Sequence, residues 1–460
     1  MSSSPSMLRL GAAPAIWPTT QPTATGTSTM SPGERPDTLA HLDILSHDVY
    51  EHSVPHDAYD EFRSVAPVAW VNETDANGHH GRGFWSLTSH EHVVSVHKDW
   101  RTFSSEVGGT EIEELERDPE ALAARRTMLE TDPPRHTKLR QLVNPTFSRR
   151  AVETYASHAE HLIGEVLDDA LATSRTTGAV DAVSAVAREL PIRMITGLLG
   201  VPDDDAPILF HWADQIVYNA DPDYSPAVSD RTDTDPFRLL PFRSPVSAKV
   251  LEYVQRLAGA RRGAAGGDVL GVLANAMIDG TPLTEREQGT FFLLLLIAGN
   301  ETTRHALAQG LLLLAQQPDV LSRLRVDPSL LDTATEEMLR WTCPQLHFRR
   351  TATIDTSIGD TAIAAGDKVV TWYVAANFDP GEFAHPHTFD IARVPNRHVT
   401  FGGGGPHLCL GQWMARLEVR TFLSAMAQRV ERVELAGTPR RVRSNFINGL
   451  KALPIVLVPR

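Results

Sequence analysis

The sequence predicts a mainly α protein with small β-sheets, and three observations predict it. Apolar residues recur at helical spacing from Pro134 to about Ala315. Thr284-Glu-Arg-Glu287 is a capping box opening a helix that can run to Gln317, before Pro318. At ~1.5 Å per residue that helix spans about 50 Å. Strand-like runs are short and lie near the two ends of the chain. The pattern implies one large helical domain over residues 36–460, preceded by a tail.

The elements follow in order. Seventeen of the first 33 residues are Ser, Thr or Pro, with one Arg and no Lys, Asp or Glu. Such a composition cannot order itself by burying apolar surface, so residues 1–35 are expected to be disordered. The runs 65–71 and 84–87 flank Asn77-Gly78 and read as a hairpin. Helical patterning breaks at 197–202, 220–245 and 264–267. The long Pro- and Asp-rich break at 220–245 reads as a lid or binding loop. The helix after Thr284 is apolar on most faces from Phe291 to Ala298 and should cross the middle of the molecule. Short strands around 361–373 and 454–458 frame a glycine-rich loop and the helix after it.

Composition excludes several functions. A net charge of −14 over 460 residues argues against nucleic-acid binding. No apolar run reaches the ~18 residues of a membrane helix, which predicts no membrane anchor and a cytoplasmic location. Two cysteines exclude a disulfide framework and a four-sulfur metal site. Cys343, beside Pro344, reads as a packing residue. His79-His80 and His385/His387 read as solvated loop histidines.

The most informative stretch is Phe401-Gly-Gly-Gly-Gly-Pro-His407-Leu-Cys409-Leu-Gly411. Four glycines let the backbone pass close under a large flat partner, and loop N–H groups can hydrogen-bond a thiolate. The sulfur is open to packing, to nucleophilic catalysis with His407 as base, or to ligation of a cofactor. A phosphate-cradling loop requires Lys-Ser/Thr after its last glycine, whereas Gly411 precedes Gln412-Trp413. Ala298-Gly299-Asn300-Glu301-Thr302-Thr303 sets a Gly beside hydroxyls in mid-helix. Alone it reads as a tolerated kink or a close helix contact. Glu337 and Arg340 form a Glu-x-x-Arg pair, a pattern that Glu114/Arg117 and Glu301/Arg304 also match. His136 and Arg140 share one helix face.

Together these motifs resemble the cytochrome P450 family, the haem-thiolate monooxygenases, from about Asp37 to the C-terminus. The cysteine loop is similar to the family's haem-binding signature, with one residue more between Phe401 and Cys409 than the commonest form. That longer version, with residues 132–147 and 443–451, resembles the bacterial subgroup acting on methyl-branched lipids and sterol side chains. The resemblance implies a cytochrome P450 fold around a buried haem b (iron protoporphyrin IX). Cys409 is then the axial ligand of the iron, and Phe401, Gly411 and Ala298 lie against the cofactor. It further implies that Glu301 and Thr302 bring protons to dioxygen. By the same resemblance His136, Arg140, Arg350 and His407 hold the haem propionates. Glu337, Arg340 and Arg393 are implied to form a buried structural triad that fixes the loop.

The activity implied is hydroxylation of a C–H bond in a hydrophobic small molecule: a lipid, sterol, terpenoid or specialised metabolite. Electrons are expected from a ferredoxin and its reductase, docking beneath Cys409 near Lys138, Arg140 and Arg416. Rival readings are epoxidation or oxidative coupling and cyclisation by the same haem, a haem sensor without turnover, and a haem-free cysteine hydrolase. Expected pocket walls are Leu294, Leu295 and Ala298 with residues 104–130, 345–348 and 445–447. Departures from the family pattern at Gln412-Trp413-Met414, in the tail and at 220–240 bear on the substrate.

Overall fold

A computed structural model describes residues 39–73, 81–112, 118–225, 228–231, 234–264 and 267–460. The expected disordered tail, the Asn77-Gly78 turn, Glu114, Arg117 and the His79-His80 pair lie outside them.

Eight strands form two sheets: β1 (Val68–Val71), β2 (Phe84–Leu87), β3 (Phe103–Ser104), β4 (Val180–Asp181), β5 (His347–Ala352), β6 (Lys368–Trp372), β7 (Val430–Leu435) and β8 (Pro454–Pro459). The larger sheet has the order β1-β2-β6-β5-β3, and the smaller has β7-β8-β4. The expected hairpin is present, with Val68 opposite Leu87. Strand β6 then pairs parallel to β2 and ties the two halves of the chain together. Val65, expected in the first strand, instead ends the helix His56–Val65. Pro67 is the physical reason: it forces Ala66 out of helical geometry, so the extended run starts only beyond it.

The helices that build the interior are α1 (His90–Lys98), α2 (Arg135–Phe147), α3 (Ala156–Thr177), α4 (Glu189–Leu199), α5 (Ala206–Val217), α6 (Val246–Arg261), α7 (Glu285–Gln316), α8 (Leu331–Thr342) and α9 (Gln412–Arg429). Helix α7 begins with the expected capping box, in which the Thr284 hydroxyl accepts from Glu287 N and Glu287 accepts from Thr284 N. Its first half buries Phe291, Phe292 and Leu296 in one apolar core with residues of α2, α4, α5 and α6. Its second half buries Leu307, Leu311 and Leu314 in another, with α3, α8, α9 and the smaller sheet. Between the halves lies the polar run from Ala298 to His305. Glycines mark where the helix is crossed most closely. A Cβ on Gly299 would sit 2.7 Å from Ile195 Cδ1 on α4, and one on Gly310 would sit 2.8 Å from Met338 Sδ on α8.

The 220–245 connection is anchored to the C-terminal segment. Fully buried Asp221 accepts from Arg443 N (2.9 Å) and Lys451 Nζ (3.1 Å), and the Arg443 guanidinium pairs with Asp230 (2.6 Å) and Asp48 (2.5 Å). The far end of the connection carries Phe242, a bulky residue held at φ +56° in the left-handed region.

The Glu-x-x-Arg pair on α8 closes into a fully buried cluster. Arg340 meets both Glu337 oxygens (2.8 and 2.9 Å), and Arg393 Nε lies 3.0 Å from Oε2. Asp390 N and Asn396 Nδ2 also donate to that carboxylate, while Arg340 binds the carbonyls of Asn377 and Pro386. Asn377 in turn receives Val399 N, two residues before the cysteine loop starts. The triad therefore bolts α8 to the segment leading into Cys409. Removing the carboxylate strands two desolvated guanidiniums, so Glu337→Ala should destabilise the fold by about 3–5 kcal/mol, read as a lowered denaturant midpoint.

Candidate active site beneath the central helix

The polar stretch of α7 opens onto a cavity with about 2300 Å³ of space between atoms. Cys409, Phe401, Gly402, Leu410 and Gly411 line it from the loop, and Ala298, Glu301 and Thr302 from the helix. Its remaining walls are mostly apolar. Leu294, Leu295, Leu198, Phe348, Phe446 and Ile447 contribute, as do the 122–130 segment and Phe242 of the long connection. Of the expected walls, Leu346, His347 and Asn445 do not line the cavity, and the described part of the 104–130 segment contributes only Thr110, Glu111, Leu122 and residues 125–130; His347 packs on Trp372 instead, and Asn445 bonds Leu45 O.

Helix α1 also constrains the glycines of the cysteine loop. A Cβ on Gly405 would lie 2.1 Å from the His97 carbonyl oxygen, and one on Gly403 would lie 2.9 Å from Val94 Cα. Gly402, Gly404 and Gly405 also hold positive φ. The loop is pressed onto α1 so that the thiol faces the cavity. Cys409 N donates to Phe401 O at 2.9 Å, closing the loop, and Arg416 lies 4.4 Å over the Phe401 ring. Burial holds the Cys409 thiol above its ordinary range, opposed by the Gly411 N–H and by the charges of Arg140 and Arg416.

His136, Arg140, Arg350 and His407, drawn from three separate segments, all line this cavity. The His136 and His407 rings lie 4.1 Å apart, and His136 Nδ1 and His407 Nε2 are buried without a partner. Arg140 donates to Pro406 O (3.3 Å) and Arg350 to Arg349 O (2.7 Å), yet neither makes an ion pair among the described residues. Burial lowers His136 to about 4, assisted by Arg140 and Arg350, and lowers His407 further still. Two desolvated guanidiniums and two orphaned ring nitrogens call for an anionic partner with more than one acceptor group. A haem, with two propionates and a face for the thiol, fits that donor set. The hydrolase reading lacks its base, since no hydrogen bond joins His407 to Cys409 among the described residues.

Glu301 is fully buried. It accepts from Asn300 Nδ2 (2.5 Å) and from the Tyr218 hydroxyl, and Arg304 Nη1 lies 3.3 Å from Oε2. Burial raises its carboxyl to about 7 against the pull of Arg304. Thr302 donates to the Ala298 carbonyl at 2.8 Å, the back-bond anticipated for this helix. The surface thought to receive a ferredoxin is less basic than its residue types suggested. Lys138 pairs with Asp279 (2.6 Å), Arg416 pairs with Glu336 (2.7 Å), and Arg140 lines the cavity.

Several residues here carry no sequence signal. His97 sits under the loop, with Tyr373 and Thr371 at Nε2 (3.0 and 3.1 Å) and Arg350 3.4 Å from Nδ1. Glu418, on α9, lines the cavity with its Oε2 unpartnered, and burial alone pushes its carboxyl well up. Tyr218 joins Glu301 only through tertiary structure, whereas His305 stands one turn along the same helix, its Nε2 4.0 Å from Glu301 Oε2. Cys343 is a buried packing residue, and His387 is exposed beside Asp60, both as expected. No group of described residues has the arrangement of a His/Cys/Asp/Glu metal cluster, and no described helix is long and apolar enough to cross a membrane.

Comparison with known proteins identifies the family. The family model described as Cytochrome P450 matches residues 266–440. Linalool 8-monooxygenase of Pseudomonas putida is 36% identical over 434 residues, covering 93% of this chain and 100% of that one. Methyl-branched lipid omega-hydroxylase of Mycobacterium tuberculosis is 35% identical, covering 94% and 98%. A Mycobacterium marinum cytochrome P450 solved with pseudoionone superposes with a TM-score of 0.82 at 33% identity, covering 92% of this chain and 100% of that one. A thiol-bearing loop pressed on one helix, two arginines and two imidazoles lining the same cavity, and relatives matched over nearly their whole length lead to one conclusion: this chain belongs to the cytochrome P450 family, oxygen-incorporating oxidoreductases that carry iron protoporphyrin IX.

Proposed function

We propose that the chain hydroxylates a C–H bond of a hydrophobic lipid, sterol or terpenoid, with Cys409 as the axial thiolate. The observation that carries this reading is that Cys409, Ala298, Thr302 and a largely apolar wall share one cavity. Relatives named for linalool and for methyl-branched lipids support a branched aliphatic substrate. With only Cys343 and Cys409 the described chain has no iron–sulfur centre, so a separate ferredoxin and its reductase are proposed to supply electrons.

When bound, haem supplies the oxygen-activating chemistry. The protein's own part is placement and proton supply. His136, Arg140, Arg350 and His407 would hold the propionates and neutralise them inside the protein. The Gly411 N–H directed at Cys409 steadies charge on the sulfur. The apolar walls exclude water and position the substrate chain. Glu301, balanced near neutrality, holds a proton that Thr302 can pass on, because a hydroxyl donates and accepts at once.

Four outcomes test this reading. Carbon monoxide added to the reduced protein should give the far-red-shifted Soret band of sulfur-ligated haem, and Cys409→Ser should abolish it; a colourless wild-type protein overturns the assignment. Glu301→Gln should slow product formation about 10²-fold. Thr302→Ala should keep haem and the substrate-induced spin shift while releasing electrons as peroxide, lowering product per electron several-fold. The Glu301 carboxyl is protonated below pH of about 7 and ionised above it. Product per electron should therefore hold steady in mild acid and fall as pH rises through that value.

A further inference from the structure

Behind Glu301 lies a group that the oxygen chemistry does not account for. Tyr218 and His305 are both fully buried, as is Glu301. The Tyr218 hydroxyl sits between Glu301 Oε2 and His305 Nε2, in contact with both. A phenylalanine and a leucine would fill the same space without desolvating two polar groups, so the polar pair costs stability that packing does not require. The hydrogen positions can be read from the outer end of the chain of contacts. Leu450 N donates to His305 Nδ1 at 3.3 Å, so that nitrogen is an acceptor. Burial and Arg304 keep the imidazole neutral, which places its single hydrogen on Nε2, facing the phenol. The phenol oxygen accepts that hydrogen, and its own hydrogen is left for Glu301. His305 cannot be refilled through Nδ1 while Leu450 occupies it, so the pair orients a proton donor and does not conduct protons from solvent.

We infer that Tyr218, its direction set by His305, is the positioning residue for Glu301, holding the carboxyl on the cavity side of α7 and tuning how readily it gives up its proton. The inference rests on Glu301 serving proton delivery. The groups facing Glu301 set the sign of the effect. Asn300 and Arg304 from α7, and Tyr218 from beyond α5, all favour the ionised form; Arg304 also pairs with Asp214 of α5 at 2.6 Å. Asp214 and burial favour the neutral form, since two carboxyls share one guanidinium, and Tyr224 stacks on Tyr218 at 4.7 Å without reaching the carboxyl. Losing the phenol removes one donor from the ionised form, so the carboxyl must hold its proton to higher pH. His305 is itself wedged from behind. A Cβ on Gly449 would lie 2.6–2.9 Å from three of its ring atoms.

The test uses infrared titration of the haem-loaded, carbon monoxide-bound enzyme. The protonated-carboxyl band of Glu301 is assigned by its loss in Glu301→Gln. Tyr218→Phe should raise its midpoint by about one pH unit, and the alkaline limb of product per electron should move by the same amount. Gly449→Ala, which displaces the imidazole without touching the phenol or the carboxyl, should move both in the same direction. If Tyr218→Phe does not retain haem, Gly449→Ala decides alone. An unchanged midpoint in the variants that fold overturns the positioning role. If Glu301→Gln leaves product per electron unchanged, it is the proton-delivery reading that falls, a result separable from the first because the infrared band reports on Tyr218 whether or not Glu301 feeds the reaction.

Discussion

A guanidinium removed from water without a counter-charge is among the costlier arrangements a protein can hold, and the cavity is lined by buried Arg350 and half-buried Arg140, neither of them in an ion pair among the described residues. Several other buried cations have carboxylate partners. Glu337 answers Arg340 and Arg393, Asp214 answers Arg304, and Glu73 answers Lys368. Arg140 and Arg350 have no such partner among the described residues, and beside them lie two imidazoles, each with one buried, unpartnered ring nitrogen. A bound haem would find partners for its two propionates among these residues, in the same cavity that Cys409 lines.

The space itself follows from how α7 is written. Its two ends are apolar on nearly every side and belong to two different cores. The interval between them, from Ala298 to His305, offers a small side chain, a glycine and hydroxyls where leucines would otherwise close the gap. Gly299 serves the crossing with α4, so the same short run both draws one helix in and leaves room on the other side. Position along one helix thus separates packing from chemistry.

Much of this was legible in the sequence, for a physical reason: the legible features are local. The capping box at Thr284, the ligand loop around Cys409 and the His136/Arg140 pair are set by neighbours three or four residues apart. The partnership of Glu337 with Arg393 spans more of the chain and was reached through family resemblance. The constraint that α1 places on the glycines had no local signal, because α1 lies some three hundred residues earlier in the chain. Val65 was misplaced because the extended pattern of its neighbours outweighed the effect of Pro67. His97, Tyr218 and Glu418 left no trace, since each becomes part of the site only when distant elements meet. The face beneath the thiol looked basic as a list of residues and is largely neutralised in three dimensions by Asp279 and Glu336.

One consequence concerns the order in which the chain is made. Phe446 and Ile447 wall the cavity, Leu450 braces the imidazole behind Glu301, and β8 threads between β7 and β4. A ribosome that has released every motif through Cys409 has therefore still not delivered a finished chamber. A nascent chain stalled short of that final segment would hold its cysteine loop against an open wall.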